Sequence, residues 1–258
     1  MRLRIKFIPE EKNFLLPLHY NEIIQGFIYK HLSPSLAEKI HNQGFVDPET
    51  ERRFKLFTFS RLIPEEKPTI KNRTISFSSP FNLIVASVDT SFIQDFVENL
   101  LTKEKLTLNE KEVKISSVEV LPLPKYQPFI LVKTLSPITV YTTFDTKDGK
   151  KKTYYFNPKE KDFETRLVEN LKAKLRAWSG KSINEGSIKV TQHEVPKKKV
   201  IIYKNTVINA WDGVFVLELP EEMFKMAFLA GLGSKNSIGF GCIETFKNQK
   251  SKSNRMDL

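Results

Sequence analysis

Apolar residues recur along this chain with two different periods. RLRIKFIP alternates basic and apolar side chains, as a strand with one face on a core does. NEIIQGFIYKHL instead gathers Ile23, Ile24, Phe27 and Ile28 on one helical face. SPSLAEKIHNQG reads as a second helix, with Ser33 as N-cap, Pro34 at the first helical position and Gly44 as the stop. RRFKLFTFSRL and TISFSSPFNLIVAS, rich in Phe and β-branched residues, read as strands. DTSFIQDFVENLLT carries an apolar stripe of Phe92, Ile93, Phe96, Val97, Leu100 and Leu101, and KEVKISSVEVL closes this half as a strand.

Three prolines in LPLPKYQP, residues 121–128, break regular structure, and beyond them the order repeats less neatly. FILVKTLSPITVYT is a strand interrupted by Pro137. A polar hairpin follows around DTKDGKKKTYYF, with Asp148-Gly149 as its turn. KDFETRLVENLKAKLRAW buries Phe163, Leu167, Leu171 and Leu175 as a helix. SIKVTQHEV and VINAWDGVFVLEL are strands, PEEMFKMAFLAGLG is a helix between Pro220 and Gly231, and SIGFGCIETF is the last strand. Each half approximates βαββαβ, the ferredoxin-like (RRM-like) motif. The predicted fold is therefore α+β, two tandem ferredoxin-like domains. Residues 1–120 form the first, 121–128 a linker, 129–247 the second, and 248–258 a polar tail.

Composition adds a partner to this picture. The net charge is +11 and the pI about 9.5, which suits an anionic partner, either nucleic acid or a membrane surface. The charge is lopsided: 18 basic against 16 acidic residues up to Lys125, then 23 against 14. The single cysteine, Cys242, excludes an intramolecular disulfide and reads as a small buried residue. The first residues lack the apolar run of a secretory leader, and no stretch reaches the ~18 apolar residues of a membrane helix. A cytoplasmic setting without a membrane partner is expected.

Four of the ten glycines fall within GLGSKNSIGFG, residues 231–241. The spacing fits neither a Walker A loop, since no Gly-Lys pair occurs within it, nor the dinucleotide fingerprint, since Asn236 stands where its last glycine belongs. The loop also leads from helix to strand, so the helix dipole does not favour an anion. Phosphate binding here would rest on backbone N–H groups with Ser234, Lys235, Asn236 and Ser237. The alternative is a helix C-cap followed by a bulged strand. His19, His31, His41 and His193 show no metal-ligand spacing, and no G-x-S-x-G elbow occurs, so no metal and no cofactor is predicted. Tyr29, at the end of the first helix, His41, near the end of the second, and Lys55 are the residue types that metal-free RNA cleavage needs. A base takes the ribose 2′-OH proton, an acid protonates the departing 5′ oxygen, and a cation steadies the phosphorane.

With its tandem ferredoxin-like layout, the loop GLGSKNSIGFG before the last strand and the Tyr/His helix pair, the chain resembles the CRISPR-associated RAMP endoribonucleases, the Cas family numbered six. The resemblance spans nearly the full length. It implies a metal-independent nuclease that cuts CRISPR precursor RNA within repeats, leaving a 2′,3′-cyclic phosphate (or 3′-phosphate) and a 5′-hydroxyl. It matches His41 to the family's general acid/base histidine, Tyr29 in GFIY to an assisting tyrosine and Lys55 in FKLFTFS to a stabilising lysine. His31, two residues from Tyr29, competes for the assisting role. For RNA binding it points to the loop residues Gly231, Gly233, Ser234, Lys235, Asn236, Ser237, Gly239 and Gly241, and to Lys150, Lys151 and Lys152 of the polar hairpin. PKKKV, residues 196–200, lies between strands as a further phosphate track. A homodimer and association with a CRISPR effector complex are compatible with the family. The alternative is a non-catalytic RNA-binding RAMP subunit of such a complex.

Overall fold

The computed structural model describes residues 1–183, 189–192 and 195–246. His193, the whole tail over 248–258 and parts of SIKVTQHEV lie outside the described residues.

The first half contains β1 (Arg2–Pro9), α1 (Asn21–Lys30), α2 (Pro34–Glu38), β2 (Phe57–Phe59), β3 (Phe81–Ser87), α3 (Thr90–Leu101) and β4 (Lys111–Val120). The strands pair antiparallel in the order β4-β1-β3-β2. That is the ferredoxin-like order, with the first and third strands at the centre. Alternation in β1 sends Leu3, Ile5 and Phe7 inward, where they are buried with Ile24, Phe27 and Ile28 of α1 and Phe92, Ile93, Phe96 and Leu100 of α3.

The second half contains β5 (Phe129–Thr134), β6 (Tyr141–Asp145), β7 (Lys151–Tyr155), α4 (Lys161–Ser179), β8 (Lys189–Gln192), β9 (Lys197–Tyr203), β10 (Thr206–Asp212), β11 (Val214–Glu218), α5 (Glu221–Ala230) and β12 (Ile243–Thr245). Its sheet runs β8-β11-β5-β12, the same order. Two hairpins, β6–β7 and β9–β10, are added to this plan. Leu167, Leu171 and Leu175 of α4 join Phe215, Leu217, Phe224 and Phe228 in a second core. The chain is thus two ferredoxin-like domains.

Several sequence expectations change. The helix expected over 33–44 is α-helical only over Pro34–Glu38 and opens into a π-turn over Lys39–Gln43. Ser33 makes no side-chain cap there; its N–H donates to Asp95 Oδ2 at 2.8 Å. Leu101, at the frayed end of its stripe, is exposed. VINAWDGVFVLEL is two strands divided at Gly213. PKKKV lies within β9 rather than between strands. SIGFGCIETF is mostly loop, with only Ile243–Thr245 in the sheet.

RRFKLFTFSRL is also divided. Arg53–Phe54 pairs with Phe45–Val46, and only Phe57–Phe59 enters the first sheet. Between them Leu56 takes a left-handed φ of 50°. That conformation costs a leucine about 1–2 kcal/mol. Burial of its side chain contributes about 1.5–3 kcal/mol, enough to offset it. Leu56 packs into the second core while Phe57 packs into the first, so the chain crosses between cores at this step.

Candidate active site and RNA-facing surface

The π-turn carries His41. One extra residue per turn pushes the imidazole outward, and such turns recur at functional sites. His41 is exposed, and its Nδ1 lies 2.7 Å from Asn42 Oδ1. Where Nδ1 donates to that amide oxygen, Nε2 is the nitrogen left for other partners. The Tyr29 ring lies edge-on to His41, with centroids 6.0 Å apart. Lys55 Nζ stands 5.3 Å from the centre of the same ring. The left-handed step at Leu56 is what turns Lys55 out of the strand direction beside it.

The electrostatics of this trio follow from burial. Tyr29 Oη is buried without a hydrogen-bond partner, and burial, with Tyr203 nearby, pushes its pKa well above the usual tyrosine value. The phenol therefore keeps its proton at neutral pH. Burial, and next the charge of Lys204, lowers the Lys55 pKa. His31 is in a different environment: buried against Phe27, its Nδ1 is 2.8 Å from the Phe27 carbonyl, and burial depresses its pKa. It is a core histidine. His19 lines a separate cleft with Arg61 and Asp212.

The glycine-rich loop is the seam between the domains. A Cβ on Gly241, at φ 73°, would stand 1.9 Å from the Leu232 carbonyl oxygen, and one on Gly239 2.6 Å from the Phe59 ring. Asn21 Nδ2 of α1 donates to the carbonyls of Ile238 (2.8 Å) and Gly239 (3.2 Å), and Gln25 Nε2 to that of Ser237 (3.0 Å). Thr58 Oγ1 reaches the Phe240 carbonyl at 3.0 Å. Gly231, Gly239 and Gly241 are thus turned into protein, and Asn236 spends its Nδ2 on Leu232 and Phe240 carbonyls at 3.0 Å each. Ser234, Lys235 and Ser237, with Gly233, line a cavity of about 330 Å³. Lys235 Nζ sits 4.7 Å over the ring of Tyr141, the first residue of β6. Lys150, Lys151 and Lys152 lie at the far end of that hairpin, exposed and away from the cavity lining.

Sequence reasoning did not single out the hairpin β9–β10, whose tip reaches this region. Lys204 and Asn205 turn it with φ of 44° and 62°, a tight turn of the primed kind. Tyr203 Oη donates to Gln25 Oε1 on α1. Asp47 and Arg176 were also missed. The Arg176 guanidinium grips the buried Asp47 carboxylate with two bonds of 2.8 Å, tying α4 to the loop before β2. That contact holds the Asp47 pKa well below the carboxylate range.

Two fused ferredoxin-like domains with a glycine-rich seam define a RAMP-type protein. A solved structure described as a characterisation of a Cas6-related gene from Pyrococcus furiosus has this fold, with a TM-score of 0.84 at 22% identity, covering 96% of this chain and 99% of that one. The chain belongs to the Cas6 family of CRISPR-associated proteins. The family description "CRISPR-associated protein Cas6, N-terminal" matches residues 15–119, and "CRISPR associated protein Cas6, C-terminal" matches 121–245. The chain is 30% identical to CRISPR-associated endoribonuclease Cas6 1 of Methanocaldococcus jannaschii, over 97% of this chain and 96% of that protein. It is 28% identical to CRISPR-associated endoribonuclease Cas6 of Pyrococcus furiosus, over 98% and 92%.

Proposed function

We propose that this protein is an endoribonuclease that cuts CRISPR precursor RNA within its repeats, using Tyr29, His41 and Lys55 and no metal ion. The observation that carries the reading is the meeting of these three side chains from α1, the π-turn and the step before β2, with the Tyr29 hydroxyl left unbonded. His41 Nε2 takes the proton of a ribose 2′-OH, and the oxygen attacks the adjoining phosphorus. Tyr29, kept protonated by burial, gives its proton to the departing 5′ oxygen, and His41 returns a proton to it through solvent. Lys55 offsets the extra negative charge on the phosphorane. The products are a 2′,3′-cyclic phosphate, which water opens to a 3′-phosphate, and a 5′-hydroxyl. The repeat sits across the seam, its phosphates drawn to Lys235 and to Lys150–Lys152, while the glycines and Asn236 hold the loop that presents them. The division into domains is taken at 121–128, the segment that lies between β4 and β5.

The test is cleavage of a repeat RNA in EDTA. Wild-type protein is expected to cut and His41→Ala to bind without cutting. A 2′-deoxy substitution just upstream of the cut is expected to stop the reaction. Binding without cleavage by the wild type would make the protein an RNA-binding subunit, and cleavage of the 2′-deoxy RNA would end the cyclic-phosphate mechanism.

A further inference from the structure

Among the described residues, two buried side-chain polar atoms have no hydrogen-bond partner: Tyr29 Oη and Asn170 Oδ1. They flank Lys55. Tyr29 lies under its ammonium, and Asn170 lines the 330 Å³ cavity that Lys55 also walls. Native proteins leave few such atoms, and each calls for a reason. A reason is available for Tyr29 in the chemistry above. Asn170 is only 4% exposed, on the inward face of α4, one turn before Lys174.

The cavity around it is built rather than incidental. Lys174 is buried, and its Nζ donates to the carbonyls of Gly231 (2.7 Å) and Gly233 (3.0 Å), so it fixes the loop that forms one wall. Arg52, Arg53 and Lys235 supply cations, Tyr141 an aromatic wall, and among the described residues no carboxylate lines the space. Its volume is at the small end of ligand pockets, which run from about 300 Å³ upward. The walls offer positive charge for a phosphate. At the floor stands the Asn170 side chain, whose idle acceptor is covered in the free protein, so a base would reach it by a turn of the amide.

We propose that this cavity takes one nucleotide of the repeat RNA beside the scissile phosphate, with Asn170 Oδ1 accepting a hydrogen bond from an exocyclic amino group of its base. This rests on the functional reading above. An acceptor favours adenine, cytosine or guanine over uracil, which has no amino group, and an asparagine amide pairs best with an adenine edge. The phosphate of that nucleotide faces Arg52, Arg53 and Lys235. Asn170 is thus a specificity residue and not part of the reaction itself.

The test uses a repeat RNA made uncleavable by one 2′-deoxy residue, in which the amino group of each base flanking the cut is deleted in turn (adenine to purine, cytosine to pyrimidin-2-one, guanine to inosine). At one position the deletion is expected to weaken binding to the wild type by about 10–100-fold. Asn170→Ala is expected to weaken binding of the unmodified RNA by the same factor and to be indifferent to the deletion there. Independent losses at every position, or an equal loss for all RNAs accompanied by a lower melting temperature, overturn the subsite and leave Asn170 a packing residue. Failure of the wild type to bind any repeat RNA overturns both this proposal and the functional reading beneath it. Intact binding without coupling overturns the subsite alone.

Discussion

Tyr29 has a buried hydroxyl that meets no partner among the described residues, at a cost to stability. Tyr29→Phe removes an unmet polar group. Stability measured in urea is therefore expected to be unchanged or to rise by up to about 1 kcal/mol. Cleavage should fall by about 10²-fold, the lower end for lost proton transfer. A loss of stability matching the loss of rate would assign the hydroxyl to packing. At this scale the sequence was partly legible. Tyr29, His41 and Lys55 could be named from residue type and family pattern. Asn170 and Lys174 could not, although they left a trace: both interrupt the stripe Leu167, Leu171, Leu175 at positions the helix turns inward. A polar residue on such a stripe usually signals a buried bond. Which bond, and whether it is met, depends on what the fold brings opposite.

Among elements, only the second strand of the hairpin β9–β10 was recognisable, within VINAWDGVFVLEL; the first was read as a connection. The hairpin's importance lies in where its tip lands, which local pattern does not encode. Lys204 at that tip contributes to the depressed pKa of Lys55, after burial. If cleavage needs Lys55 charged, the rate falls at alkaline pH earlier than for an ordinary lysine. Lys204→Gln removes the repelling charge, raises the Lys55 pKa and should move the alkaline limb of the pH–rate profile upward. An unmoved limb would show that the two charges do not communicate. The helix over 33–44 was misjudged for a related reason: caps and stops mark where a helix ends, and they carry no sign of the π-turn in which Ile40 is buried. The glycine loop was legible as a special backbone. Its use as a seam was not, because its partners, Asn21, Gln25 and Thr58, lie some two hundred residues away in the chain. Gly241→Ala, with no room for its Cβ and a left-handed φ, should lower stability by about 1–3 kcal/mol or more, as read by thermal melting.

For the molecule as a whole, the ferredoxin-like plan of both halves followed from periodicity and the proline-rich break, because strand order in this motif is set by element order. What periodicity leaves out is how the halves face each other. Arg176 and Asp47 are one answer: Asp47→Ala leaves the Arg176 guanidinium with only the exposed Glu49 carboxylate at 3.2 Å and is expected to cost up to about 3 kcal/mol in denaturant titrations, and Asp47→Ala with Arg176→Met less. The depressed pKa makes the pair's contribution full above the ordinary carboxylate range and lost as pH falls below about 4 towards the folded-state value. Lys150, Lys151 and Lys152 act at longer range. If they hold phosphates of single-stranded RNA, replacing all three with Ala should reduce the slope of log affinity against log salt by about 2.

The seam bears on the covalent chain itself. Residues 121–128 connect the domains, while α1, β2, the glycine loop and the Arg176–Asp47 grip join them by contact. A protease cut in that stretch should leave one particle, and two fragments made separately should find each other. The scissile phosphate would then be met by Tyr29, His41 and Lys55 from one fragment and by Lys235 from the other, so the peptide bond between the halves is dispensable where their mutual fit is not.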